Sequence, residues 1–99
     1  MAEPLNPEQL DALGSELPQW RIEGGALVRE AQAPTFPEAI DWVVGIATAA
    51  EEMDHHPDID IRWRTLRLAL CTHSAGSRVT DLDVALARRI DAIVGTPEV

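Results

Sequence analysis

The chain has 99 residues, 45% hydrophobic and 25% charged, a composition that excludes extensive disorder and fits a single domain over residues 1–99. A formal charge of −9 argues against direct nucleic-acid binding, which needs a basic footprint, and no apolar run approaches the roughly 20 residues of a membrane span. The single cysteine, Cys71, leaves no internal disulfide framework, and MAEPLNPEQL has neither a basic nor an apolar leader segment, so a cytoplasmic location is expected.

Asn6 followed by Pro7, Glu8 and Gln9 predicts a helix start. Asn6 is the cap, Pro7 the first helical residue, and Gln9 completes a capping box; Leu5 and Leu10 stand where a hydrophobic staple would. This helix is expected to end near Gly14. QWRIEGGALVRE then reads as a hairpin turning at Gly24-Gly25, with Ala26 to Ala33 as its return strand. Thr35, with Glu38 three residues on, caps a second helix from Phe36 to about Glu52. Its predicted core face carries Ile40, Val43, Val44 and Ala47.

Beyond Pro57 the apolar residues alternate, but Ile59, Ile61 and Trp63 are odd-numbered while Leu66, Leu68 and Leu70 are even-numbered. One straight strand cannot point both sets the same way, so a turn near Arg64-Thr65 is expected to split them into a second hairpin. HSAGSRV is a loop. Thr80 and Asp83 then open a third helix with Leu82, Leu86, Ile90 and Ile93 as its stripe and Gly95 as its stop. The predicted fold is α+β in the order α-β-β-α-β-β-α, a four-stranded antiparallel sheet with helices packed on one face.

All three histidines lie between residues 55 and 73. Three readings compete for them. A solvated pair at a helix stop is the plainest. A metal centre would need three or four converging ligands, and adjacent His55 and His56 usually diverge, with no HExxH or paired Cys/His spacing to help. Proton transfer needs imidazoles that can hold or release a proton near neutrality, and here they would approach one ligand from different elements, as an elimination or hydration requires.

AEEMDHHPDIDIRW, LALCTHSAG and VTDLDVALARRID together resemble the pterin-4a-carbinolamine dehydratases, and LNPEQL, Trp20, Leu27-x-Arg29, Phe36 and Ala39 fall in the same order. The combination of Glu51, His55-His56-Pro57, an aromatic at 63 and Thr72-His73 carries most of the specificity. The resemblance implies the α+β fold already read from the pattern. It also implies loss of water from a 4a-hydroxytetrahydropterin, such as 4a-hydroxytetrahydrobiopterin, to a quinonoid dihydropterin, with no metal or organic cofactor. His55, His56 and His73 would be the active-site histidines. Glu51, Pro57, Thr72, Ser74 and Ala75 would bind substrate or shape its site. Asp83 is a possible support, with helix capping its alternative role. A homodimer or homotetramer is implied, and a non-catalytic interaction protein on the same fold is the rival. Ala31 and Ala33 stand where the family carries aromatics, and Trp42 and Trp63 are the candidates to fill that space. Gly76-Ser77 replaces the family's Gly-Gly, and the following spacing is one residue longer.

Overall fold

A computed structural model of the chain describes residues 3–95. Helix α1 (Pro7–Glu16) begins where its caps dictate: Asn6 Oδ1 accepts from the Gln9 amide and Gln9 Oε1 from the Asn6 amide, both at 2.8 Å. The helix runs past Gly14, its expected end. A Cβ there would meet nothing within 4 Å, so the residue sits on an open surface, and burial of Leu13 and Leu17 carries the chain beyond it. Glycine weakens a helix interior by about 1 kcal/mol, less than burying one leucine returns.

Strands β1 (Arg21–Glu23) and β2 (Ala26–Gln32) form the first hairpin, with Gly24 and Gly25 both at positive φ as the tight turn requires. Helix α2 (Phe36–Met53) follows, capped by Thr35 Oγ1 accepting from the Glu38 amide. Strands β3 (Asp58–Arg62) and β4 (Thr65–Leu70) form the second hairpin, and α3 (Asp81–Val94) is the last of the described elements. All pairings are antiparallel in the order β1-β2-β4-β3, so β3 is an edge strand and β4 is central.

The parity conflict between the two apolar sets is resolved at Trp63-Arg64, one residue before the expected turn; Thr65 already pairs with Arg62. Trp63 takes φ 53 and is 69% exposed, so it does not fill the space beside Ala31 and Ala33. Arg64 closes that corner instead: its NH1 donates to the Ala33 carbonyl at 3.1 Å, and its own carbonyl accepts from the Ala33 amide at 2.8 Å. Trp42 is half-buried against the core.

Leu66, Leu68 and Leu70 alternate inward from β4 and pack with Leu27, Leu13, Leu17, Ile46, Leu86 and Ile90. The opposite face of the sheet is charged; Glu30, Arg67 and Asp60 lie in one register line across three strands. The α2 face differs from the predicted one. Ala39, Ile46, Ala49 and Ala50 are buried, while Ile40 and Val44 are 40% and 61% exposed. Alpha-helix α2 is apolar on two sides, and periodicity alone could not choose between them. One buried ion pair ties the sheet to α3: Arg29 on β2 meets Asp91, which also accepts from Trp20 Nε1 at 2.9 Å.

Candidate active site

The end of α2 sets the position of the histidine pair. Asp54 takes a left-handed conformation (φ 49, ψ 44), its amide reaches the Glu51 carbonyl at 3.2 Å, and the His55 amide reaches the Ala50 carbonyl at 3.0 Å. These two bonds form a Schellman closure, in which glycine usually occupies the left-handed position. His55 is therefore held by its own backbone as the first residue past the helix stop. Pro57 forces the chain to stay extended into β3.

His73 arrives from the other side. Central strand β4 ends at Leu70, beside the start of β3, where Asp58 pairs with Ala69. Thr72 then pins the following loop: its amide donates to the Arg78 carbonyl at 2.8 Å, and its carbonyl accepts from the Ser77 amide at 3.0 Å. His73 opens a short 3-10 turn (His73–Ala75), and Gly76 and Ser77, both at positive φ, follow it. A cavity of about 370 Å³ lies at this junction, lined by Asp54, His55, His56, Pro57, Asp58, Cys71, Thr72, His73, Ser74 and Leu82.

The three imidazoles have different surroundings. His55 Nε2 lies 2.6 Å from Asp83 Oδ1, and the side chains are 10% and 0% exposed. His56 Nε2 pairs with Glu51 in the open, at the mouth of the cavity. His73 is exposed, with Ser77 Oγ 3.4 Å from its Nδ1. Asp83 serves two functions at once. Its Oδ2 accepts from the Thr80 amide at 2.8 Å, closing the α3 capping box, and from Thr72 Oγ1 at 2.9 Å. Its Oδ1 faces His55. A fully buried carboxylate needs such a set of donors to offset its lost hydration.

Among the residues singled out in the sequence, His55, His56, Pro57, Thr72, His73 and Ser74 line the cavity. Glu51 reaches it only through His56, and Asp83 stands behind His55. Ala75 is half-buried in the 3-10 turn and outside the lining. The Thr72 hydroxyl is turned inward onto Asp83 and Thr80 rather than into the cavity.

Sequence reasoning gave no site role to Cys71 or Leu82, both of which line the cavity. Leu82, which periodicity places in the core stripe of α3, is instead 38% exposed at the cavity wall, in the first turn of the helix. Burial, and then the charges of Asp83 and Asp58, push the Cys71 thiol above its ordinary value of 9.0, with a hydrogen bond to Ser77 opposing. That thiol stays neutral at physiological pH. Among the described residues, no three His, Cys, Asp or Glu side chains are placed to share a metal ion.

Residues 3–93 match the family described as Pterin 4 alpha carbinolamine dehydratase. The chain belongs to that family. A curated relative from Mycobacterium tuberculosis (strain H37Rv), named provisionally as a pterin-4-alpha-carbinolamine dehydratase, is 50% identical over 91 residues, covering 92% of this chain and 96% of its own. One from Mycolicibacterium smegmatis, named the same way, is 50% identical over 90 residues, covering 91% and 95%. In three dimensions the chain is similar to a Brucella melitensis protein described as a transcriptional coactivator/pterin dehydratase. The TM-score is 0.88 at 29% identity, over 93% of this chain and 99% of that one. A pterin dehydratase-like protein identified as a RuBisCO assembly factor in the alpha-carboxysome shares the fold, with a TM-score of 0.67 at 22% identity over 80% and 93%. The family match and the structural likeness thus agree on the fold.

Proposed function

We propose that the protein is a hydro-lyase that removes water from a 4a-hydroxytetrahydropterin. The observation that carries this reading is the meeting of His55, His56 and His73, from two chain segments, on one cavity of about 370 Å³. That volume falls within the range of roughly 300–1,000 Å³ common to small-molecule sites.

In the proposed reaction the C4a–O bond breaks, the N5–H proton leaves, and a C4a=N5 double bond forms. Water departs and nothing is oxidised or reduced. Hydroxide leaves poorly, so an acid protonates it while a base takes the N5 proton, each role worth about 10²–10⁴-fold. His55 and His73 are the acid/base pair. His55 has a buried carboxylate behind it, an arrangement that stabilises an imidazolium while it carries a proton. His56, steadied by Glu51, binds and orients the pterin, and Pro57, Ser74 and the 3-10 turn through Ala75 shape the wall. The pterin nitrogen's lone pair supplies the push, so the scheme uses no metal or organic cofactor.

The test is direct. Purified protein mixed with freshly generated 4a-hydroxytetrahydropterin accelerates the absorbance change of dehydration over buffer; a rate equal to buffer ends the enzymatic reading.

A role as a non-catalytic interaction protein is the second reading, supported by the stripe of Phe36, Ile40 and Val44 on α2, which is 47%, 40% and 61% exposed. The same stripe supports a homodimer or homotetramer, since such a face is costly to leave in water. The −9 charge favours partners other than nucleic acid, and the unpaired Cys71 suits the cytoplasm.

A further inference from the structure

We propose that Thr72 and Thr80 are positioning residues that hold His55 as its Nε2–H tautomer, leaving Nδ1 as the ring atom that exchanges a proton with substrate. The inference deepens the acid/base reading above and rests on it for turnover, but not for the tautomer.

The direction of each hydrogen follows from the partners. Thr80 Oγ1 accepts from the Leu82 amide at 3.2 Å, so its lone pair on that side is taken and its own hydrogen is free. Thr72 Oγ1 lies 2.6 Å from Thr80 Oγ1 and 2.9 Å from Asp83 Oδ2. If Thr80 donates to Thr72, Thr72 can donate to Asp83 and each of the two contacts holds one hydrogen. Reversing the chain sets the lone pairs of Thr72 and Asp83 against each other inside a dry core, at the cost a buried unpaired acceptor always carries. The hydroxyls therefore present Asp83 with a donor, and the Thr80 amide presents a second at 2.8 Å.

In its ionised form Asp83 is an acceptor only, so the hydrogen in the 2.6 Å contact with His55 sits on Nε2. Three of these four residues are essentially sealed from water: Thr72 is 3% exposed, and Thr80 and Asp83 are 0%. The chain also ends inward. Its last donor is the Leu82 backbone amide, which cannot release a proton, so the network holds His55 without relaying protons away from it. Among the described residues the His55 ring makes its hydrogen bond through Nε2 alone, and the ring borders the cavity. Nδ1 is the atom left for chemistry.

Protein labelled with ¹⁵N-histidine, at a pH where His55 is neutral, reads the tautomer without substrate. The native spectrum is expected to show hydrogen on Nε2 and a bare Nδ1. Thr72→Val, equal in shape but lacking the hydroxyl, frees the carboxylate to rotate: the other tautomer becomes detectable, and kcat falls about tenfold or more, as loss of a hydrogen bond to a charged group predicts, with KM within about twofold. Thr72→Ser recovers the spectrum and most of the turnover. Thermal unfolding checks each variant, and Thr72→Ala replaces Thr72→Val if the valine prevents folding. Three results would each overturn the proposal: hydrogen on Nδ1 in the native protein, a Thr72→Val variant with native spectrum and kcat, or a serine variant no better than the valine one. If the protein turns over no pterin, the spectra still decide.

Discussion

His55 and Asp83 are 28 positions apart in sequence and 2.6 Å apart in space, Nε2 to Oδ1. The same carboxylate caps α3 through the Thr80 amide. A residue that fixes the start of a helix thereby also fixes an imidazole at the end of another. Asp83→Asn separates the two jobs, because an amide offers one acceptor oxygen where the carboxylate offers two. We expect stability to fall by about 1–2 kcal/mol in denaturant melts, from the weakened cap and buried pair. Turnover is expected to fall by about 10²-fold or more. A variant that loses stability but keeps native turnover would reduce Asp83 to a helix cap.

The histidines should respond differently to truncation. His55→Ala or His73→Ala is expected to lower kcat by about 10²–10⁴-fold while circular dichroism stays native. His56→Ala, on the open side with Glu51, should raise KM with kcat changed only a few-fold, as loss of uniform binding does. Unchanged turnover in both the His55 and the His73 variants would remove the assignment.

Much of the fold can be read locally, and the caps show why. Asn6 with Gln9, and Thr80 with Asp83, act over three residues, so their geometry follows from spacing alone. The face of α2 could not be read that way: Ile40 and Val44 satisfy helical periodicity as well as Ala39 and Ile46 do, and only the sheet's position decides which pair is covered. Trp63 misleads for a related reason. Its parity continues β3, but the chain turns under it at φ 53, a conformation that bulky residues rarely adopt. In the candidate site, the histidines stood out by type and by family resemblance. The Thr72, Thr80 and Asp83 network did not, because it joins a strand end to a helix start and depends on which way two hydroxyls turn.

Cys71 gives a pH dependence with a definite sign. Its thiol is pushed above the ordinary 9.0, first by burial and then by Asp83 and Asp58. Below that value both folded and unfolded chains hold the proton, and the thiol leaves stability independent of pH. As pH rises past 9.0 the unfolded chain loses the proton first, so this group lowers stability with increasing pH until the folded thiol also ionises. Urea melts should show a steeper alkaline decline for the native protein than for Cys71→Ser. Alkylation by iodoacetamide at pH 8 should likewise be slower in the fold than in urea. Equal rates in the two states would contradict the shift.

Arg29 tests the join between sheet and helix. It is 3% exposed, pairs with Asp91, and donates from NH2 to the Gly95 carbonyl at 3.2 Å. Arg29→Met keeps the length of the side chain but strands Asp91, which among the described residues then retains the Trp20 indole as its one side-chain donor. Breaking one side of a buried pair costs about 3–5 kcal/mol, and Asp91 is partly exposed, so the lower end applies. Chemical denaturation of Arg29→Met beside Arg29→Met/Asp91→Leu checks the cause: removing the stranded carboxylate should restore part of the loss. A double variant less stable than the single would show that the pair matters for packing alone.

The exposed stripe on α2 makes the oligomer testable without the active site. Phe36, Ile40 and Val44 recur every four residues on one face, none of them lining the histidine cavity. Two charged replacements there should act on association and leave the monomer's fold almost unchanged, because exposed positions seldom shift stability by more than about 0.5 kcal/mol. If the stripe is covered by a second copy, Ile40→Asp/Val44→Asp weakens self-association by about 10²-fold, the effect of losing two buried apolar anchors. Light scattering during gel filtration, at concentrations from about 1 to 100 µM spanning that change, reads it directly. A native protein that stays monomeric across the series would end the oligomer reading, and a double variant that associates as tightly as the native chain would place the subunit contact elsewhere. The edge strand β3 is then the next surface to alter, since among the described residues its outer backbone groups have no strand beside them.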